Sequence, residues 1–259
     1  MLVEVKTVDE GVVRRLTDIY AESMDALEKH FPSREQMLAE YAAFAADFAR
    51  QKNQRILAED AGNGWGSALR AIEAQPGSWF LEAVETMPSQ RGKGHGKALV
   101  LDTLRYLEGL VDIYLPDLKY LEADLAGKYS HAKDYPEVAM KALEEMVRQV
   151  RTPEFDERGM MKKGVIVRHL LLPGHVRNSK KVLEYLYGTY GDQIYISLMN
   201  QYTPMPAMKD DPQLSRKVTD REYDRLLDHA ISFGVTNCFI QEGETAKESF
   251  IPEFNGEGI

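Results

Sequence analysis

The sequence predicts an α/β protein in two parts, and two patterns predict it. Over residues 1–107 the periodicities run strand, two helices, three strands, a glycine-rich turn and a helix. From residue 108 onward, near-continuous apolar strands alternate with helices. That second pattern belongs to a parallel sheet or to part of a β/α barrel. The boundary is expected at 107/108, inside or just after a helix over Lys97–Glu108.

Each element has a local reason. Leu2–Val8 alternates as a strand does, and Val12, Val13, Leu16, Ile19, Tyr20, Ser23 and Leu27 share one helical face until Pro32. Ser33 with Gln36 forms a capping box, and the stripe Met37, Tyr41, Phe44, Phe48 that follows has core-facing spacing. Arg55–Ala58, Trp65–Ile72 and Trp79–Met87 are separated by glycine-rich turns and read as an antiparallel meander. Strands are then expected at Val111–Leu118, Val165–Leu172, Ile194–Asn200 and Cys238–Gln241. Helices are expected from Asp134-Tyr-Pro-Glu137 onward, at Ser179–Tyr190 and at Asp220–Phe233. The loop Thr203–Lys217 is long for a connection and reads as a lid. Val111–Leu118 is expected to pair parallel to Leu81–Met87, so that one composite sheet spans both parts. Without that pairing, open sheet edges would invite self-association.

Composition narrows the function classes. A net charge of −9 argues against nucleic acid or an anionic membrane as the main partner. The opening Met-Leu-Val-Glu-Val-Lys6 places an acid in a short apolar run, so neither a signal peptide nor a membrane span is expected, and the location expected is cytoplasmic. The single cysteine, Cys238, cannot make an internal disulfide, a zinc knuckle or an ordinary cysteine-ligated iron–sulfur cluster. It lies in an apolar run and reads as a buried, inert thiol. No two histidines have metal-ligand spacing, so no metal site is expected, and His169, His175 and His229 read as structural.

The turn Arg91-Gly-Lys-Gly-His-Gly96 carries the chemistry of the first part. Glycines let backbone amides approach a pyrophosphate without obstruction by Cβ, and the helix that follows points its positive end at the anion. Arg91, Lys93 and Lys97 add positive charge. Residues 1–105 resemble the GNAT-type N-acetyltransferases, whose acetyl-CoA loop has the pattern Arg/Gln-x-x-Gly-x-Gly/Ala matched by Arg91, Gly94 and Gly96. The resemblance implies a small-molecule cofactor, acetyl-CoA, held by Arg91, Gly92, Lys93, Gly94, His95, Gly96 and Lys97. It also implies that the strand carrying Glu85-Thr-Met-Pro88 runs beside the pantetheine arm. Glu82 and Glu85 on that strand are the candidate bases. Being odd-spaced, they are expected on opposite faces, with at most one in the cleft. The family's thiolate-protonating segment has no counterpart here.

In a parallel sheet, polar residues at the carboxyl ends of strands tend to be functional. Those here are Asp117 and Lys119, Arg168 and His169, Asn200-Gln201-Tyr202, and Gln241-Glu242. A local ion pair of Asp117–Lys119 is the plain structural alternative. Four segments resemble the C-terminal half of radical SAM proteins related to the pyruvate formate-lyase activating enzyme. They are Val111–Tyr120, Gly164–Gly174, Met199–Pro204 and Gln241–Phe250. The resemblance covers 104–259 and implies part of a barrel, with Asp117, Lys119 and Arg168 as contacts to S-adenosylmethionine. The family's CxxxCxxC motif is missing, so no iron–sulfur cluster, and no radical chemistry, is expected from this chain alone. Three readings follow: an acetyl-CoA-binding GNAT-like part with weak N-acetyltransferase activity; a cluster-less module binding S-adenosylmethionine; and a non-catalytic chimera from fusion of the two.

Overall fold

The structure, a computed structural model, describes residues 1–62 and 64–240. The chain divides into two compact units, Met1–Leu107 and Glu108–Ile259. Unit 1 is a four-stranded antiparallel sheet in the order β1 (Leu2–Glu4), β2 (Gln54–Asp60), β3 (Trp65–Gln75), β4 (Ser78–Thr86). Three helices, α1 (Glu10–Ile19), α2 (Ala21–Glu28) and α3 (Arg34–Arg50), lie between β1 and β2 in the chain. Leu16, Ile19, Met24, Met37 and Phe48 from these helices pack with Ile56, Ala58 and Ala68 from the sheet. The opposite face meets α4 (His95–Tyr106), where Leu57, Leu69 and Leu99 are buried together. This alternation of Leu57 with Ile56 and Ala58 is the period-2 rule of a strand covered on both sides. The continuous first helix expected from the sequence is broken at Tyr20 (φ −89, ψ 25) into α1 and α2. Ser33 caps α3 by accepting from the Gln36 amide at 3.2 Å.

Unit 2 is a mixed sheet, β5 (Ile113–Tyr114), β7 (Met161–Leu170), β8 (Tyr195–Met199) and β9 (Cys238–Ile240), all mutually parallel, with β6 (Glu154–Phe155) antiparallel to β7. Helices α5 (Ala123–Ser130), α6 (Tyr135–Val150), α7 (Val176–Tyr190) and α8 (Asp220–Ser232) connect these strands. Val165, Val167, Ile196 and Leu198 are buried on one face. The 200–219 connection contains a short 3₁₀ turn at Pro206–Met208 and is closed by Tyr202, whose hydroxyl donates to the Leu214 carbonyl at 2.9 Å.

The single composite sheet expected from the sequence is not formed. β5 pairs with β7 rather than β4, and the two sheets are separate. The segment instead follows β7 throughout, with the Arg168 amide donating to the Pro116 carbonyl at 2.8 Å and the Leu118 amide to the Arg168 carbonyl at 3.0 Å. Pro116 has no amide to donate and interrupts the expected strand after Tyr114, leaving an isolated bridge at Asp117–Arg168. On the other side β4 is bulged at Ala83, and a bulge is a poor template for further pairing. α5 and β6 were not expected. No helix among the described residues is long and apolar enough to cross a membrane.

Candidate functional site

The end of β4 and the start of α4 form the candidate site. Pro88–Gln90 makes one 3₁₀ turn, and the chain then passes through Gly92 (φ +76) and Gly94 (φ +87). Gly94 is the residue before α4, in a backbone conformation that a side chain disfavours, and no side chain caps the helix. Its first amides therefore point outward with the positive end of the helix dipole behind them. Gly96 is needed for a different reason. A Cβ built there would lie 2.9 Å from Thr86 Oγ1, so only glycine lets the helix start this close to the end of β4.

The side chains of the turn have found partners. Arg91 donates to both oxygens of Glu22 on α2, at 2.7 and 2.9 Å, a fork that holds the Glu22 carboxyl below its usual range. Lys93 Nζ donates to Gln90 Oε1 at 2.8 Å. His95 is turned onto the sheet, its Nδ1 2.8 Å from Glu59 Oε2, and Gly66 leaves the room for its ring. The ring of His95 thus fastens the start of α4 to β2, and of this residue only the backbone remains to the turn. Lys97 stands in the first turn of α4. A cleft of about 420 Å³ opens beside this segment, lined by Arg15, Asp18, Trp65, Gly66, Met87 and Gln90.

The two glutamates of β4 do not lie on opposite faces. Glu85 is opposite Ala68 and Glu82 is opposite Arg70, so Leu69 faces both Ala83 and Val84. Ala68 and Arg70 are two apart and share a face, and the extra residue at the bulge brings both glutamates onto that same face. Ala83 has φ +47, the conformation that inserts the extra residue. Its carbonyl accepts from the buried Tyr20 hydroxyl at 2.9 Å, which pins the bulge to the end of α1. Glu82 is neutralised by Arg70 at 3.0 Å, and Arg70 lies over the rings of Phe44 and Phe48 at 5.5 and 5.7 Å. Glu85 instead accepts from the uncharged Ser23 hydroxyl of α2 at 2.6 Å. Burial pushes the Tyr41 phenol up to about 12 and raises that of Tyr20 further, so both stay protonated beside the glutamates. Glu22 and Glu59 were not singled out in the sequence, Tyr20 and Ser23 were read there only as positions on a helical face, and no fixed spacing ties the four to their partners.

In unit 2, Asp117 and Arg168 meet at the carboxyl ends of neighbouring strands. Arg168 Nε donates to Asp117 Oδ1 at 2.8 Å, an exposed ion pair. Lys119 is placed by its backbone: its amide donates to the Tyr135 hydroxyl and its carbonyl accepts from Asn178 Nδ2, both at 3.0 Å. His169 is buried with its Nδ1 2.6 Å from the Leu118 carbonyl, and burial pushes its pKa down to about 4. It is therefore a neutral, structural histidine that donates from Nδ1. His175 Nε2 lies 2.9 Å from the Tyr129 hydroxyl, and His229 Nε2 lies 2.8 Å from Glu184. Cys238 is half-buried, and burial raises its thiol pKa to about 11. Gln241, Glu242 and the rest of Gln241–Phe250 lie outside the described residues.

No known family profile matches the chain. An uncharacterized protein of Methanocaldococcus jannaschii is 25% identical over 138 residues, which are 53% of this chain and 36% of that protein. The chain thus spans about a third of the length of that curated relative. Among solved structures, it is similar to a transcriptional regulator from Bacillus halodurans (21% identity, 41% of this chain and 73% of that one, TM-score 0.32). It is also similar to an aminoglycoside 6′-acetyltransferase type Ii (13% identity, 41% and 63% covered, TM-score 0.31). A third is an aminoglycoside 6′-N-acetyltransferase complexed with coenzyme A (12% identity, 62% and 92% covered, TM-score 0.33). None of these scores reaches 0.5.

Proposed function

We propose that unit 1 binds acetyl-CoA and transfers its acetyl group, weakly, to an amine. The observation that carries this reading is the uncapped start of α4, reached through Gly92 and Gly94 and held against Thr86 by Gly96. Such a helix end favours a diphosphate, with Lys97 in its first turn, and Arg91 and Lys93 would reach the anion by exchanging Glu22 and Gln90 for it. Among the described residues β4 is the last strand of its sheet, which would leave its outer backbone groups to the amides of a pantetheine arm. Glu85 is the base: its partner is a hydroxyl, whereas Glu82 is tied to a guanidinium. As the amine nitrogen bonds to the thioester carbonyl, Glu85 takes the amine proton and the carbon–sulfur bond breaks. The departing thiolate takes a proton from solvent.

The S-adenosylmethionine reading of unit 2 has less support, because Asp117 and Arg168 satisfy one another and Lys119 is engaged through its backbone. Thermal shift decides between the two. Acetyl-CoA at about one hundred times its dissociation constant should stabilise the protein by about 2.7 kcal/mol. Gly96→Val should abolish that shift, and Arg91→Glu, which sets a second carboxylate against Glu22, should weaken it. Glu85→Gln should keep the shift and lose acetyl transfer. A shift with S-adenosylmethionine and none with acetyl-CoA would overturn this reading, and no shift with either would leave a non-catalytic chimera.

A further inference from the structure

The face of the unit 1 sheet that packs on α1–α3 holds a positive charge as well as the Glu85 carboxylate. Ala68 of β3 is buried there, and Arg70 and Ile72 follow it at the spacing that keeps one face. Opposite these three on β4 stand Glu85, Glu82 and Phe80. Arg70 lies over the rings of Phe44 and Phe48 on α3, and its Nη2 is 3.0 Å from Glu82 Oε1. Its Nε is buried and has no hydrogen-bond partner among the described residues. A guanidinium N–H held out of water without an acceptor is destabilising, so an oxygen brought by a ligand gains more there than at an exposed donor. Nε and Nη2 lie along one edge of the guanidinium, the kind of edge that a carboxylate grips with two parallel bonds. Glu85 is the opposite pole. It accepts from the uncharged Ser23 hydroxyl at 2.6 Å, a bond that leaves its charge in place. Tyr20 and Tyr41 each feel both the Arg70 guanidinium and the Glu85 carboxylate, so the two charges act on one small region.

We propose that the acceptor of the acetyl group is an apolar amino acid, with its carboxylate on the Nε–Nη2 edge of Arg70 and its amine at Glu85. This inference rests on the acetyl-transfer reading above and names the substrate of that same site. Glu82, whose side chain is 40% exposed, gives up the guanidinium to the ligand and turns to water. Arg70 and Glu85 then present one positive and one negative charge to a zwitterion that carries one of each. A diamine would bring a second cation to the guanidinium, and a simple amine would leave Nε without an acceptor. The side chain of the amino acid is apolar because its surroundings are: Phe44 and Phe48 lie against Arg70, and Phe80, 60% exposed, shares the face two residues before Glu82. Acetylation removes the charge of the amine, so the product loses its attraction to Glu85 and leaves.

Thiol release from acetyl-CoA by the full chain tests this, with L-phenylalanine and with phenethylamine, which lacks only the carboxylate. L-Phenylalanine should be the better acceptor by about tenfold or more in kcat/KM, with the difference in KM. It should also raise the melting temperature more than phenethylamine does. Arg70→Gln should erase the preference. Glu82→Gln removes the carboxylate that competes for Arg70 and should lower the KM for L-phenylalanine, a gain that damage to the fold would not produce. Equal use of the two compounds, a preference for phenethylamine, or a preference that survives Arg70→Gln would overturn the proposal and leave acetyl transfer standing. A KM for L-phenylalanine raised by Glu82→Gln would overturn it as well. Thiol release with neither compound would also overturn it, and the acetyl-CoA thermal shift then shows whether the cofactor reading fails with it.

Discussion

In unit 1 the chain leaves β4 through glycines and starts α4 with its first amides uncapped by any side chain. In unit 2 the chain leaves β5 through Pro116 and Asp117, and Asp117 is closed onto Arg168. Both segments follow strands and both carry the charged residues that motif reading picks out. They differ in what is already satisfied. Arg91 of unit 1 is paired with Glu22 as Asp117 of unit 2 is with Arg168, but the amides that start α4 keep a positive potential directed outward, and unit 2 has no such group at its pair. A motif residue is a candidate for ligand binding only to the extent that the fold has left it something to bind.

Two histidines extend the contrast and give the largest expected effect. His95 in unit 1 has the Glu59 carboxylate at its Nδ1, whereas His169 in unit 2 has only the Leu118 carbonyl. With its pKa pushed down to about 4, His169 stays neutral in the fold, while in the unfolded chain it takes a proton near pH 6.5. Between those values the unfolded chain binds more protons. The stability that depends on neutral His169 is then complete above about pH 6.5 and is lost as pH falls toward 4, by about 3 kcal/mol in all. Denaturant titrations from pH 7 to pH 4 should show this loss, and His169→Gln should flatten it. An imidazole resonance that titrates near pH 6.5 in the native protein and is missing from His169→Gln would show that His169 is not buried as described.

The next effect sharpens the description of unit 1. Tyr20→Phe removes the donor that holds the Ala83 carbonyl and should cost about 1–2 kcal/mol. The bulge is what brings Glu82 and Glu85 to one face, so loosening it should also slow acetyl transfer. Chemical denaturation reads the first effect, and the rate at saturating acetyl-CoA reads the second. Unchanged stability would mean that the bulge holds without Tyr20.

How much of this was legible in the sequence depended on range. The meander of unit 1 and the strand–helix alternation of unit 2 follow from local periodicity, and Gly94 and Gly96 stand out because each serves a local backbone need. The bulge was not legible: nothing in Glu82-Ala-Val-Glu85 distinguishes it from an unbulged strand, so the alternation rule misassigned one carboxylate. Glu22 and Ser23 were missed because they meet Arg91 and Glu85 from 69 and 62 residues away. The single-sheet expectation failed because Val111–Leu118 runs along β7, about 50 residues on, and local pattern does not encode a strand's partner. Asp117 pairs with Arg168 across a parallel bridge, not with Lys119 as local spacing suggested.

The smallest expected effect bears most directly on the contrast between the units. Asp117→Asn keeps the shape of the side chain and removes its charge, leaving Arg168 half-exposed beside a neutral amide. Exposed ion pairs contribute at most about 1 kcal/mol, because water and salt screen them and ordering two side chains opposes them. Stability should thus change by less than about 1 kcal/mol, and by less still in high salt. Any acetyl-CoA shift should be untouched. A larger loss, persisting in high salt, would mean that the pair is shielded from solvent, and the contrast between the uncapped helix end of unit 1 and the self-satisfied pair of unit 2 would have to be redrawn.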